Sequence, residues 1–328
     1  MKKPLSQGSL LVIVLWMLCI LSVLALGLGY RVSLQIRSTQ TSLAHTILSY
    51  VSRAALAQAI TVLKKDPTLH VDTSHDIWAE NIFDFQDIDA GTGHFSIEEV
   101  EEGRARFGFT DEERKVNLNT APQEVLENLF SQLDLPVELV ANLLDWIDPD
   151  EDDRNHGRGA EKEYYEHLAS PYSPKNAFLE HFEELLHIKG FTPEVMKKLQ
   201  AVATVYGSGQ INLNTARRET FQALGLDSAF YEKVLRWRLG PDGLRGTAED
   251  GIAKGVLDFV TQLEQGEGLS VKEKILLNKY QNYFRVTSTA FHVRIKAMSA
   301  TGLKKEAVAI LAIKKGKDVE VVYWHENE

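Results

Sequence analysis

The sequence predicts an α+β protein in which a long N-terminal helix, membrane-spanning in its first half, packs on a small antiparallel sheet. A large α-helical insertion interrupts that sheet. Three observations predict this. An uncharged apolar run from Ser9 to Leu28 continues into a helical pattern with no Gly or Pro between Tyr30 and Asp66. Strand-like alternation occurs twice, over 94–110 and over 284–324, far apart in the chain. Between the two, 117–280 reads as helical and loop-rich.

The apolar run has 20 residues. A helix of that length spans roughly 30 Å, the hydrocarbon thickness of a bilayer. A cleaved secretory signal has a shorter core of about 7–15 residues, although Ala25-Leu26-Gly27 loosely fits a cleavage site. Lys2 and Lys3 precede the run, and Arg31 and Arg37 follow it, so the positive-inside rule is nearly balanced. A short two-lysine flank stays cytoplasmic, which puts the bulk of the chain outside. Gly8-Ser9 stands at the cytoplasmic border. A protease acting on that face and cutting between them would leave the whole helix on the product.

Beyond the run, Leu34, Ile36, Leu43, Ile47, Leu48, Val51, Ala54, Ala55, Ala59, Val62 and Leu63 recur at roughly three- and four-residue steps. The expectation is one helix over 9–65, amphipathic in its outer half and stopped by Asp66-Pro67. The alternative is a membrane helix followed by a stalk. Strands are expected at His94–Val100, Arg104–Thr110, Phe284–Thr289, His292–Ala300, Ala307–Lys314 and Val319–Trp324, with breaks at Gly302 and Gly316. The predicted organisation is a leader, 1–8; a transmembrane part, 9–29; its amphipathic continuation, 30–66; a head made of 67–116 and 281–328; and an inserted helical domain, 117–280.

The insertion contains a repeat. Val116-Asn-Leu-Asn-Thr-Ala121 returns as Ile211-Asn-Leu-Asn-Thr-Ala216. Thr120 and Thr215 are placed to cap the helices that follow, Gln123 completes a capping box in the first copy, and Pro122 suits a first turn. The same element resembles the opening of helix-hairpin-helix DNA-uptake modules. Those need a glycine-rich hairpin that offers backbone N–H groups to phosphate. The first copy has no such glycine, and Ile188-Lys189-Gly190-Phe191 is the nearest hairpin-like piece. Charge also argues against a nucleic-acid partner. No acidic residue occurs before Asp66, so 66–328 carries 29 of the 36 basic residues and all 46 acidic ones, a net of −17.

The densest acidic stretch is Asp145-Trp146-Ile147-Asp148-Pro149-Asp150-Glu151-Asp152-Asp153, followed by Gly157, Gly159 and Glu161. Carboxylates this close are either well solvated or bound to a cation. Oxygen ligands on a glycine-containing loop suit Ca²⁺. The candidate ligands are Asp145, Asp148, Asp150, Asp152, Asp153 and Glu161. The EF-hand template fails: counted from Asp148, its glycine position holds Asp153 and its last ligand position holds Gly159. No catalytic site is expected. The ten histidines form no His-Glu-x-x-His, and there is no Gly-x-Ser-x-Gly, phosphate loop or candidate cysteine nucleophile. Cys19, the single cysteine, rules out an intramolecular disulfide.

Taken together, several motifs resemble the K-type minor pseudopilins of bacterial type II secretion systems. They are Gly8-Ser9 with its Leu-Trp-Met-Leu helix, Val-Asn-Leu-Asn-Thr-Ala-Pro, Asp145-Trp-Ile-Asp-Pro-Asp with Gly159-Ala160-Glu161 and Tyr164-Tyr165, and the second Asn-Leu-Asn-Thr-Ala. The resemblance implies a single-pass inner-membrane protein with its bulk in the periplasm, standing at the tip of a pseudopilus. It implies I- and J-type minor pseudopilins, the major pseudopilin, the prepilin peptidase and the inner-membrane assembly platform as partners. It also implies cleavage after Gly8, N-methylation of Ser9, and calcium near the acidic loop. The fifth residue after that cut is Ile13, where most pilins carry Glu. A carboxylate there is costly in a bilayer, roughly 2.5–3.5 kcal/mol, and serves a neighbouring subunit's amino terminus. A tip subunit has no neighbour above it. The alternatives are a single-pass protein with an extracytoplasmic binding domain, or a DNA-uptake protein.

Overall fold

The computed structural model describes residues 7–67, 70–101, 103–152, 159–244, 246–247, 249–314 and 318–327, with side chains from Leu11 onward. Helix α1 runs unbroken over Gln7–Lys65. Among the described residues it is the one helix long and apolar enough to cross a membrane, with a mean hydropathy of 2.9 in its most apolar window. Every residue over 11–43 is exposed. Burial begins at Ala44 and continues through Leu48, Val51, Ala55, Ala59 and Val62, one stripe at three- and four-residue steps. The helix stops where Pro67 disfavours helical backbone at Asp66.

That stripe lies on an antiparallel sheet. After α2 (Ile82–Phe85) come β1 (Ile88–Asp89), β2 (Gly93–Glu101), β3 (Arg104–Phe107) and β4 (Thr110–Asp111). The insertion follows: β5 (Val116–Asn117), α3 (Gln123–Gln132), α4 (Glu138–Ile147), α5 (Lys162–Glu166), α6 (Pro193–Gln200), β6 (Ala203–Thr204), β7 (Ile211–Asn212), α7 (Arg218–Ala223), α8 (Ser228–Leu239), α9 (Val256–Glu267), α10 (Val271–Lys279) and β8 (Phe284–Arg285). The chain then returns as β9 (Ala290–Ser299), β10 (Lys304–Ile313) and β11 (Val319–Asn327). The order is β1-β2-β9-β10-β11, with β3 beside β2 and β4 beside β9. The sheet is therefore completed by strands from both sides of the insertion. Val293, Ile295 and Ala297 of β9 and Ala307, Ala309 and Leu311 of β10 face α1; His292, Arg294 and Lys296 face away. The small residues on both surfaces let helix and sheet approach closely. Trp78, Phe85, Phe109 and Phe291 close the end of this core, with Trp78 and Phe291 rings 4.9 Å apart. The insertion has a separate apolar core, from Val116 to Val286.

Two expected strands differ. Arg104–Thr110 is split into β3 and β4 at Gly108, where a side chain would overlap the Ala79 carbonyl. Phe284–Thr289 shortens to β8, which leaves the sheet and pairs in parallel with β7 inside the insertion, Ile211 opposite Phe284. The turn at Gly302 forms between β9 and β10, with its N–H on the Ser299 carbonyl; Gly316 lies outside the described residues.

Candidate functional site

The repeat is a pair of loop staples. β5 pairs in parallel with β6, and β7 with β8, so each Asn-Leu-Asn leaves a two-residue strand in the same way. The Asn117 and Asn212 carboxamides accept from Asn119 N and Asn214 N. Asn119 then grips Leu179: its Oδ1 accepts from Leu179 N at 2.8 Å and its Nδ2 donates to Leu179 O at 3.0 Å. Asn214 grips Ala253 the same way, both bonds at 3.0 Å. Each carboxamide thus replaces a strand partner for a loop that has none.

The hairpins after the staples also match. Asp134 and Gly225 take positive φ, and the next residues, Leu135 and Leu226, donate back to Phe130 O and Phe221 O. The threonines do not cap. The α3 N-cap is Pro122 and the α7 N-cap is Arg217, neither with a side-chain bond. Thr120 instead donates to Gly209 O, and Thr215 to Asp111, while the helices begin further on, after Pro122 and Arg217. The hairpin-like Lys189 is also spent internally. Its N–H reaches Tyr165 Oη, its ammonium reaches Gly159 O and stands 4.5 Å from the centre of the Tyr164 ring.

The acidic loop leaves the C-terminus of α4. Asp145 is fully buried one turn before the end, and its Oδ2 accepts from Ala160 N at 2.9 Å. That bond fastens the returning chain to α4. Trp146 and Tyr165, centroids 5.3 Å apart, form the floor. Asp148, Asp150 and Glu161 each offer a carboxylate oxygen within 4.8 Å of the others. Two oxygens on opposite sides of a calcium ion stand about 4.8 Å apart, so this group fits one such ion, with water and carbonyls completing six to eight ligands. Asp152 is exposed and outside the group; its N–H donates to Asp150 Oδ1. Asp153 and Gly157 lie outside the described residues. Gly8 and Ser9 sit in the opening turns of α1, and Ile13 is an exposed position on it.

A second acidic centre had no sequence signal beyond scattered Asp. Asp66, Asp72 and Asp76, the first two buried and the third partly so, crowd together between the end of α1 and the insertion. Burial pushes the Asp72 carboxyl up to about 8; the Ser288 amide opposes the shift, and the charges of Asp111, Asp76 and Asp66 add to it. Asp111 is pushed up to about 6 by burial and by Glu113, although Ser288, Thr215 and the Glu113 amide all donate to it. These groups tie head to insertion: Asn212 Nδ2 donates to Asp72 O, Asp111 Oδ2 and Ser288 Oγ.

The segment over 95–208 matches the family model for type II secretion system (T2SS) protein K. Residues 95–208 resemble a protein K domain. They hold most of β2, the first staple, the acidic loop and β6. A solved chain of the GspK-GspI-GspJ complex from the type 2 secretion system of enterotoxigenic Escherichia coli shares the fold, with a TM-score of 0.68 and 17% identity over 88% of this chain and 99% of that one. The comparison with curated proteins finds no match. By sequence over 95–208, and by fold over most of its length, the chain resembles the K-type minor pseudopilins.

Proposed function

We propose that the chain is a minor pseudopilin that stands at the tip of a type II secretion pseudopilus and initiates or caps the fibre for export across the outer membrane. The observation that carries this is a large insertion between β4 and β9 in a chain whose long helix is left exposed over 11–43. The exposed helix supplies a surface for packing in the membrane and then along the fibre. The insertion fills the space another subunit would need above the head, so growth proceeds from below. The role is assembly, with no reaction catalysed.

On this reading the chain is a single-pass inner-membrane protein with a cytoplasmic N-terminus and a periplasmic bulk. The prepilin peptidase cuts between Gly8 and Ser9, and Ser9 is N-methylated. The I- and J-type minor pseudopilins, the major pseudopilin and the assembly platform are its partners. Calcium held by Asp148, Asp150 and Glu161 fixes the acidic loop to the floor of the insertion.

The test has two arms. The N-terminal residue and mass are measured on protein from host membranes; methylated Ser9 is expected, and Met1 would leave an ordinary anchor. The insertion is then replaced by a short linker, with the retained helix and sheet checked by circular dichroism. Secretion and fibre length should change; normal values for both would sink the capping role.

A further inference from the structure

One carboxylate serves three guanidiniums at the seam between head and insertion. Glu101 oxygens lie 3.0 Å from Arg114 Nη2, 3.5 Å from Arg106 Nε and 3.7 Å from Arg217 Nη2. These arginines come from β3, from the turn after β4 and from the residue before α7, so three separate segments deliver them. With Arg238 of α8 they line a cavity of about 70 Å³. The other acidic residue lining it, Asp111, has its Oδ2 occupied by Ser288, Thr215 and Asn212.

Donors remain over. Arg106 Nη1 bonds the Ala79 carbonyl at 2.9 Å, but its buried Nη2 has no hydrogen-bond partner among the described residues, and neither has the buried Nε of Arg114. The Arg114 side chain is only 7% exposed. Burial, with the charge of Arg114, lowers the Arg106 pKa against the opposing pull of Glu101, Glu80 and Glu99. Cation crowding of this kind inside a strongly acidic domain costs stability unless a counter-charge enters. Arg114, Arg217 and Glu101 also face a wider groove of about 520 Å³, where Lys115, Lys197 and Arg294 stand among Glu99, Glu112 and Glu183 and through which the cavity meets solvent.

We propose that this cavity binds a phosphate-sized tetrahedral oxyanion, which bridges the head and the insertion through Arg106, Arg114 and Arg217. Guanidinium forks match the oxygens of such an anion in pairs, which a lysine cannot do. The site is separate from the acidic loop and does not depend on the chain's place in a secretion fibre.

The test uses the full chain in detergent micelles, titrated with inorganic phosphate against sodium chloride at matched ionic strength. Calorimetry should give a saturable isotherm, and Tm should rise by about 5 °C at a hundredfold excess over Kd. Arg217 is a third exposed, so R217Q removes charge from the site without opening a core; it should weaken binding about tenfold. E101Q removes the competing carboxylate and should tighten binding about tenfold, the opposite sign. A linear, non-saturating response, an equal Tm rise in wild type and R217Q, or weaker binding in E101Q would each overturn the proposal.

Discussion

The carboxylate of Asp72 accepts a hydrogen bond from the backbone N–H of Ser288 at 2.7 Å, and the Asp72 N–H returns one to Val286 O at 2.8 Å. This clasp joins the chain leaving α1 to the link between β8 and β9. It fixes the point where the strand path re-enters the sheet after the insertion. Its carboxyl is pushed up to about 8. A raised acid pKa means the native state holds a proton that the unfolded state releases. Stability from this group is therefore complete below about pH 4 and is lost as pH rises towards 8. Asn at this position keeps the acceptor for Ser288 and cannot ionise. We expect D72N to be more stable than wild type at pH 7 by about 2–4 kcal/mol, since each pKa unit is worth 1.36 kcal/mol. Urea unfolding across pH 4 to 8 measures this. A variant less stable than wild type at pH 7 would show that the charge is needed.

The Asn214 staple predicts a large loss from a small change. Asn214→Ala strands Ala253 N and O in a buried position, and each unsatisfied group costs about 1–3 kcal/mol. We expect a loss of about 3 kcal/mol, with Asn119→Ala similar because Leu179 is held the same way. Equilibrium urea unfolding of both variants is the measurement; a loss under 1 kcal/mol in each would mean that water replaces the carboxamide.

The long helix and the sheet strands were legible because their periods persist over many residues. The stripe from Leu48 to Val62 repeats at helical spacing, and Phe291 to Ala297 alternates with His292, Arg294 and Lys296. Two-residue strands carry no period, so the parallel pairing of Phe284 with Ile211 could not be read, and Phe284–Thr289 looked like one more sheet strand. Thr120 and Thr215 had cap-like sequence contexts; what redirects them is Gly209 and Asp111, brought close only by folding. In the acidic loop, charge density pointed to Asp148, Asp150 and Glu161. It could not separate them from Asp145, whose place on the buried side of α4 turns it towards Ala160. The Glu101 cluster joins the β2–β3 hairpin and the turn after β4 to Arg217, over a hundred residues on, a pairing that no local pattern announces.

Gly108 marks the point where the head tolerates no side chain. A Cβ there would overlap the carbonyl of Ala79, whose peptide is held by neighbouring bonds from Asn81 N to Phe107 O and from Phe109 N to Trp78 O. Backbone on both sides leaves no flexible group to give way. We expect Gly108→Ala to destabilise by about 3 kcal/mol or more, as overpacking against main chain does. A thermal melt within 2 °C of wild type would contradict this contact.

Metal removal bears on the acidic loop directly. Three carboxylates share a space that fits one calcium ion, and Glu161 sits next to Ala160, which Asp145 fastens to α4. An ion there binds the folded chain and not the unfolded one, so its stabilisation follows mass action, about 2.7 kcal/mol at a hundredfold excess over Kd. We expect a chelator to lower Tm and added Ca²⁺ to restore it. Asp148→Asn combined with Glu161→Gln should weaken calcium binding at least tenfold, as measured by calorimetry. The same double variant should be less sensitive to chelator than wild type, because it has less bound metal to lose. An Asp152→Asn variant should behave like wild type, since that carboxylate stands outside the group of three. If chelator leaves Tm unchanged, the loop is a solvated acidic surface rather than a metal site; if Asp152→Asn loses calcium as readily as the double variant, the ion is held by a different set of carboxylates than these three.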